Sequence, residues 1–461
     1  MVGRRAVVAT LALVFGAWIA ACSGTSHPGP RVAPPRSVDL GRASVLVLVP
    51  HPDDEAIMAA GVIARERRSG RRVAVAVVTN GDLSCERDGL RREDETIDAM
   101  ARLGVPEEDV FFLGYPDGHL DELSSVPLAP LPRRTRSGGC GSGATTYAAR
   151  GRGHSDVHTW LTGQPARYTS DAVVFDIASL IERLAPTDVF TSHPIDEHPD
   201  HASVYVFVRR AVERGSGRTP RLHRALVHIG GCWPTAAGLP PCPAPSFTPE
   251  KDVPPLPPPF ERYRPSELIA VPDAMRLPSP ASNPKYLAIA SYASQTGART
   301  RPLSYMFSFA RAREPFFPES LVADGTFRLR RAPASNESSP TGWRCGGVEA
   351  DDERALEIAR RLGATYGLRK HGPTLDLERT AAPSAMAVVL KSWNLPPARS
   401  ASTHSLEITI DVRPDDGGVG EITVRRDGEI LGVAIDPEPL VARLDTPPAA
   451  SSTANARCEA F

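Results

Sequence analysis

Residues Ala43–Val49 read ASVLVLV, and Pro50-His51-Pro52-Asp53-Asp54-Glu55 follow at once. The first stretch is a β-branched apolar run with no polar face, which predicts a strand buried on both sides. The second is a turn leading into a helical stretch that ends near Arg68. The same alternation repeats outward from this pair. Val73–Val78 predicts a second buried strand, ended by Thr79-Asn80-Gly81-Asp82. Arg91–Leu103 has helical apolar spacing and stops at Gly104. Val110–Leu113 predicts a third strand. Asp171–Leu184 predicts an amphipathic helix, Asp188–Ser192 a strand and Asp200–Val212 a helix. Strand alternating with helix predicts the α/β class, a Rossmann-like, mostly parallel sheet with helices on both faces. Sites in such sheets form at the carboxyl ends of the strands.

The chain around this core has 461 residues, 41% of them apolar and 23% charged. That leaves room for two or three domains and excludes a polytopic membrane protein or a wholly disordered chain. A net charge of −1 supplies no basic field for phosphates, so nucleic acid is not an expected partner. Arg4 and Arg5 precede a largely apolar run, Ala6 to Ala21, too short to span a membrane. Ile19-Ala20-Ala21-Cys22 closes it and resembles a bacterial lipobox, whose cysteine is lipidated and becomes the N-terminus. The expectation is a lipoprotein signal peptide over 1–21, lipidation of Cys22 and a Pro-rich tether over 22–42. The protein would then be exported and lipid-anchored to the bacterial cell envelope. In that oxidising compartment Cys85, Cys140, Cys232, Cys242, Cys345 and Cys458 would form up to three disulfides. Cys232 with Cys242, flanking a Pro-rich loop, is the preferred pair. No CxxC is present, so a cysteine zinc site is not expected.

The main domain is expected over 43–320, with two long insertions. Residues 120–170, rich in Gly, Pro, Arg and Ser, read as a surface insertion that helps form a substrate rim. Residues 234–280 carry fifteen prolines and are expected to wrap the surface. Residues 321–461 read as a small strand-containing C-terminal module. It has a helix at Asp352–Gly363 and strands at Ser405–Val412 and Gly420–Val424. Nothing in the sequence fixes the oligomeric state.

The chemistry lies in two turns of one grammar. His51-Pro52-Asp53-Asp54 follows the first strand, and His198-Pro199-Asp200-His201 follows the strand near 190. Proline suits the first helical position, which puts the preceding His near the N-cap. Residues three apart then meet over the first turn, His51 with Asp54 and His198 with His201. Together they offer imidazole, carboxylate and imidazole with a vacant fourth position, the pattern of a catalytic zinc centre. The sequence does not separate zinc from iron(II) or cobalt(II). Asp53 is free to lie over the bound water as general base. His198 is the candidate for oxyanion stabilisation and for protonating the leaving nitrogen, with Asp200 fixing its tautomer. Glu55 supports the first helix, and Asp196 is either a cap or an orienting carboxylate. His193-Pro194-Ile195-Asp196 is a weaker rival ligand source, and His154 and His158 read as surface or substrate contacts.

These residues resemble the PIG-L/LmbE-like family of zinc-dependent de-N-acetylases. The likeness continues in Arg92-x-x-Glu95-x-x-x-Ala99-x-x-x-Leu103-Gly104-Val105, in Tyr115-Pro116-Asp117-Gly118, and in Lys285, Tyr292 and Gln295 of a late segment. It covers about 43–318. The resemblance implies His51, Asp54 and His201 as metal ligands, Asp53 as base and His198 as oxyanion stabiliser or acid. It also implies an N-acetylated amino-sugar substrate, here an envelope glycan or glycolipid. Arg92 and Asp117 are candidate contacts to sugar hydroxyls, and Tyr147 and Trp160 to a sugar face. Pro50 stands where the family usually has a small residue, and Thr79-Asn80-Gly81-Asp82 replaces a Thr-x-Gly-Glu. Two further readings remain: a zinc amidase or esterase acting on a non-sugar substrate, and a non-catalytic glycan-binding lipoprotein.

Overall fold

The structure is a computed structural model. It describes residues 40–125, 144–215, 217–235, 247–296 and 304–319. It also describes the C-terminal segments 326–331, 343–345, 366–371, 374–379, 388–394, 406–412 and 420–437. The signal peptide, Cys22 and all but the end of the tether lie outside the described residues. Among the described residues no helix is long and apolar enough to cross a membrane.

The alternating elements are β1 (Val45–Val49), α1 (Asp54–Arg68), β2 (Val73–Thr79), α2 (Glu86–Arg102), β3 (Val110–Tyr115), α3 (Leu120–Ser125), α4 (Val157–Thr162), α5 (Ser170–Leu184), β4 (Asp188–Ser192), α6 (Pro199–Arg214) and β5 (Arg221–Ala225). The expected strands and helices are thus present, most within a few residues of their predicted bounds. Strands β3-β2-β1-β4-β5 pair in parallel. β6 (Glu267–Ala270), α7 (Pro284–Ala290), α8 (Ala293–Thr296) and β7 (Arg313–Glu319) follow, with β7 and β6 extending the sheet antiparallel beyond β5.

Period-two alternation explains the burial. Val45, Val47 and Val49 of β1 face one core with α1, while Leu46 and Leu48 face the other with α5 and α6. Val75 and Val77 of β2 repeat the first set, and Ala74 and Ala76 the second. Polar turns close the helices: Thr169 accepts from Ala172 N–H at the start of α5, and Asp156 from Thr159 N–H at the start of α4.

Two expectations need correction. Residues 144–170 are no surface insertion, because Tyr168, Leu161 and Val157 lie in the second core. Gly114, at φ +76°, leaves no room for a Cβ against the Tyr147 backbone, so this segment packs directly on β3. Nor does 234–280 only wrap the surface: Leu256, Tyr263, Ile269 and Val271 are buried in the first core, and β6 takes the sheet edge. An edge is where a proline-rich chain can still pair.

Beyond 320 the chain forms two antiparallel sheets. One runs β10 (Tyr366–His371), β11 (Thr374–Arg379), β12 (Val388–Asn394). The other runs β15 (Glu429–Asp436), β14 (Gly420–Arg426), β13 (Leu406–Val412), β8 (Thr326–Arg331), β9 (Trp343–Cys345). The helix expected at Asp352–Gly363 lies outside the described residues. This region packs on α6, where Ile430 and Val433 meet Tyr205 and Val206. Arg224 of β5, fully buried, donates to Glu421 at 2.6 Å. Cys85 and Cys232 are both disulfide-bonded, and Cys242 lies outside the described residues.

Candidate metal centre

β1 and β4 are neighbours whose following helices lead to opposite sides of the sheet, which opens a crevice at their carboxyl ends. Both His-Pro-Asp turns lie there. Asp54 Oδ2 sits 3.3 Å from His51 Nδ1 and 3.2 Å from His201 Nε2. Ligands ~2.1 Å from a tetrahedral ion lie about 3.4 Å apart, and each of these two pairs is near that spacing. Asp54 and His201 are almost entirely buried. Both ring nitrogens of His201 are buried without a hydrogen bond among the described residues.

The electrostatics agree. Burial disfavours the charged imidazole of His201, yet Asp54 and Asp196 push it up to about 10. Burial likewise opposes a charged Asp54, but His201 and His51 hold it well below the usual carboxylate range. Carboxylates that force protons onto buried imidazoles have negative charge to share with a cation, and metal binding would displace those protons.

Orienting groups surround the three. His51 Nε2 faces Asp200 Oδ2 and Asp117 Oδ1, each at 3.1 Å. Asp200 also accepts Gly118 N–H at 2.7 Å and Leu120 N–H at 3.0 Å, so its carboxylate is fixed. A proton held on His51 Nε2 leaves Nδ1 as the electron-pair donor. The donor atoms of His51, Asp117 and Asp200 cluster as closely as those of His51, His198 and His201, within 4.8 Å. Asp200 accepts two N–H groups and Asp54 one, that of His51 at 3.1 Å, so Asp54 is the freer of the two carboxylates. Asp196 Oδ2 lies 3.4 Å from His201 Nδ1 and accepts Val227 and His228 N–H; its Oδ1 accepts His198 N–H. It is both cap and orienter.

The remaining groups face the reaction. Asp53 adopts φ 119° and ψ −31°, a backbone conformation costly for a residue with a side chain. Its N–H donates to Glu55 Oε2 at 3.2 Å, and Glu55 in turn meets Tyr292 OH. Burial pushes the Asp53 carboxyl up to about 7 against the pull of Arg92, which suits a base working at neutral pH. His198 Nδ1 accepts Asp200 N–H at 3.2 Å as the N-cap of α6. That leaves its ring proton on Nε2. Burial and the neighbouring His51 and His201 lower its pKa, so it is a neutral donor.

Several expected roles change. The Asp200 carboxylate faces His51, while only its backbone reaches His198. Arg92 is buried and donates to Asp53 Oδ2 at 2.9 Å and Pro52 O at 2.6 Å, so it is not free for a sugar. Asp117 does border the site, and His51 together with Arg92 outweighs burial and holds its carboxyl ionised. Lys285 is paired with Glu314 at 2.6 Å, away from the cluster. The Gln295 side chain donates to Ser294 Oγ at 3.1 Å. Tyr147 OH donates to Asp82, and Trp160 packs on Phe111. Both are anchors. His193 bonds Tyr263 OH at 2.8 Å and is no ligand. His158 meets Asp176 at 2.8 Å. One residue was missed: His228, whose ring lies 4.8 Å from that of His201. It follows β5, and position after a strand was the available signal.

Fold and site define an α/β protein with a buried His/Asp cluster at its switch point whose donor atoms could hold a cation. Residues 46–212 match the family model PIG-L: GlcNAc-PI de-N-acetylase. Over those residues the chain is similar to the PIG-L family. No curated protein matches it. Similar solved structures include the conserved protein TT1542 from Thermus thermophilus, at 18% identity over 64% of this chain and 99% of that one, TM-score 0.35. Another is the N,N'-diacetylchitobiose deacetylase from Pyrococcus horikoshii, at 16% over 60% and 83%, TM-score 0.32. A third is GalB, the 4-carboxy-2-hydroxymuconate hydratase from Pseudomonas putida, at 14% over 61% and 97%, TM-score 0.33. These are likenesses of form only.

Proposed function

We propose that the chain is a metal-dependent hydrolase that removes acetyl from an N-acetylated amino sugar. His51, Asp54 and His201 hold the metal, with zinc the leading choice. The observation that carries this reading is Asp54 Oδ2 set between two imidazole nitrogens, with the strained Asp53 next to it. When bound, the ion supplies a Lewis acid for the acyl carbonyl and an acidified water. Asp53 takes the proton of the attacking water. His198, neutral and protonated on Nε2, donates to the oxygen that becomes negative in the tetrahedral state. The departing nitrogen receives its proton from the same acid–base pair, and acetate and the free amine leave. A binding protein has no use for the backbone strain at Asp53, which disfavours the glycan-binding alternative. The sugar identity belongs to the family likeness. The lipobox-like Cys22 supports export and envelope anchoring, which would bring the site to envelope glycans or glycolipids.

The test is acetate release from a panel of N-acetylglucosamine conjugates and simple N-acetyl amides, with and without a chelator. Release from the sugars that stops with chelator and returns with zinc is the expected result. Turnover of the non-sugar amides alone supports the amidase alternative. No turnover by metal-loaded protein contradicts the proposal.

A further inference from the structure

We propose that His228 and Tyr305 form a substrate-contacting wall beside the metal centre that reads a neutral, hydroxyl-bearing ring next to the scissile amide. This rests on the deacetylase reading above. β5 is the strand beside β4, so its carboxyl end delivers His228 to the same edge of the sheet. The His228 ring lies 4.8 Å from His201 and 5.3 Å from His198. Its loop is fastened to the turn that carries those residues. Val227 N–H and His228 N–H donate to Asp196 Oδ2 at 2.9 and 3.1 Å, and Glu197 N–H donates to His228 O at 2.8 Å. Gly230 N–H donates to Glu197 Oε1 at 2.9 Å. Asp196 thus fixes His201 and His228 together.

The backbone of His228 is satisfied, but its half-buried imidazole makes no hydrogen bond among the described residues. Tyr305, from the short 3₁₀ segment Ser304–Phe309, has its ring 6.2 Å from that of His228. Its hydroxyl also has no bonded partner among the described residues, and it lies within the field of Asp53, Asp54 and Asp196. Half-buried polar tips next to a reaction centre need a partner, and substrate is the group that arrives there. An imidazole and a phenol offer uncharged donors and acceptors on apolar faces, which suit a hydroxylated ring.

The test compares the zinc-loaded full chain with His228→Phe and Tyr305→Phe, which keep the ring faces and remove the polar tips. The readouts are KM and kcat on the accepted N-acetyl amino sugar, zinc affinity and thermal midpoint. Loss of one hydrogen bond predicts a KM raised about tenfold, with kcat changed less than about threefold and zinc affinity unchanged. An unmoved KM in both variants overturns the inference. So does a tenfold loss of zinc affinity, since His228 would then serve the metal. A wild-type chain that deacetylates while its variants match it sinks this inference alone. A wild-type chain that releases no acetate sinks the underlying reading and this inference with it.

Discussion

Arg92→Gln separates two roles for one residue, substrate contact and control of the base. In the structure the guanidinium lies 2.9 Å from Asp53 Oδ2, and both side chains are about nine-tenths buried. Two unit charges ~4 Å apart at an effective dielectric of ~20 interact by about 4 kcal/mol. A carboxylate beside an arginine is held down by about 1–3 pK units. Removing the arginine therefore raises the Asp53 pKa by about that amount, whatever a bound cation contributes. A base with a raised pKa is ionised only at higher pH. The acid limb of the kcat/KM profile should move up by about 1–3 pH units. Well below the wild-type limb, activity should fall by about 10- to 1,000-fold, and it should recover at alkaline pH. Breaking a buried pair also costs about 3–5 kcal/mol of stability, so circular dichroism must define the pH range in which the variant is folded. The assay is acetate release from pH 5 to 10 at saturating metal. An unmoved acid limb with a raised KM would refute the reasoning and return Arg92 to the substrate.

Other expected outcomes follow the same logic. Asp196→Ala removes the carboxylate behind His201 and should weaken zinc binding about 10- to 100-fold; a competition titration with a chromogenic chelator measures it, and unchanged affinity would contradict the orienting role. His223, held between Asp188 at 2.8 Å and Glu267 at 2.7 Å, has its pKa raised by these hydrogen bonds against burial. Its stabilisation is complete below the ordinary histidine pKa and is lost as pH rises through the raised value. The thermal midpoint should therefore fall with rising pH from about 6.5 upward, and His223→Gln should flatten that fall; equal slopes in both proteins would refute it.

The parallel core was legible because β1 and β2 are β-branched and bounded by turn residues, so burial on both faces leaves one reading. The two turns were legible because His-Pro before a helix start fixes which side chains share its first turn. What the sequence hid has physical causes. Residues 144–170 bury Tyr168 and Leu161 among glycines and arginines that resemble loop. β7 carries Pro315 and Pro318, which suppress a strand reading even beside β6. Arg92 and Asp200 kept their place but changed partner, since spacing cannot say which way a charged group turns once buried. Asp53 gave no hint of its positive φ, because the turn is held from outside by Arg92 of α2, which donates to Pro52 O and Asp53 Oδ2.

The central claim is a single divalent ion held by His51, Asp54 and His201. Zinc titration of the metal-free full chain by calorimetry, repeated on His51→Ala, Asp54→Ala and His201→Ala, tests it most directly. The account predicts one site per chain in the wild type and its loss in each variant that remains folded. A site that survives all three substitutions would contradict it, as would a wild-type chain that takes up no ion.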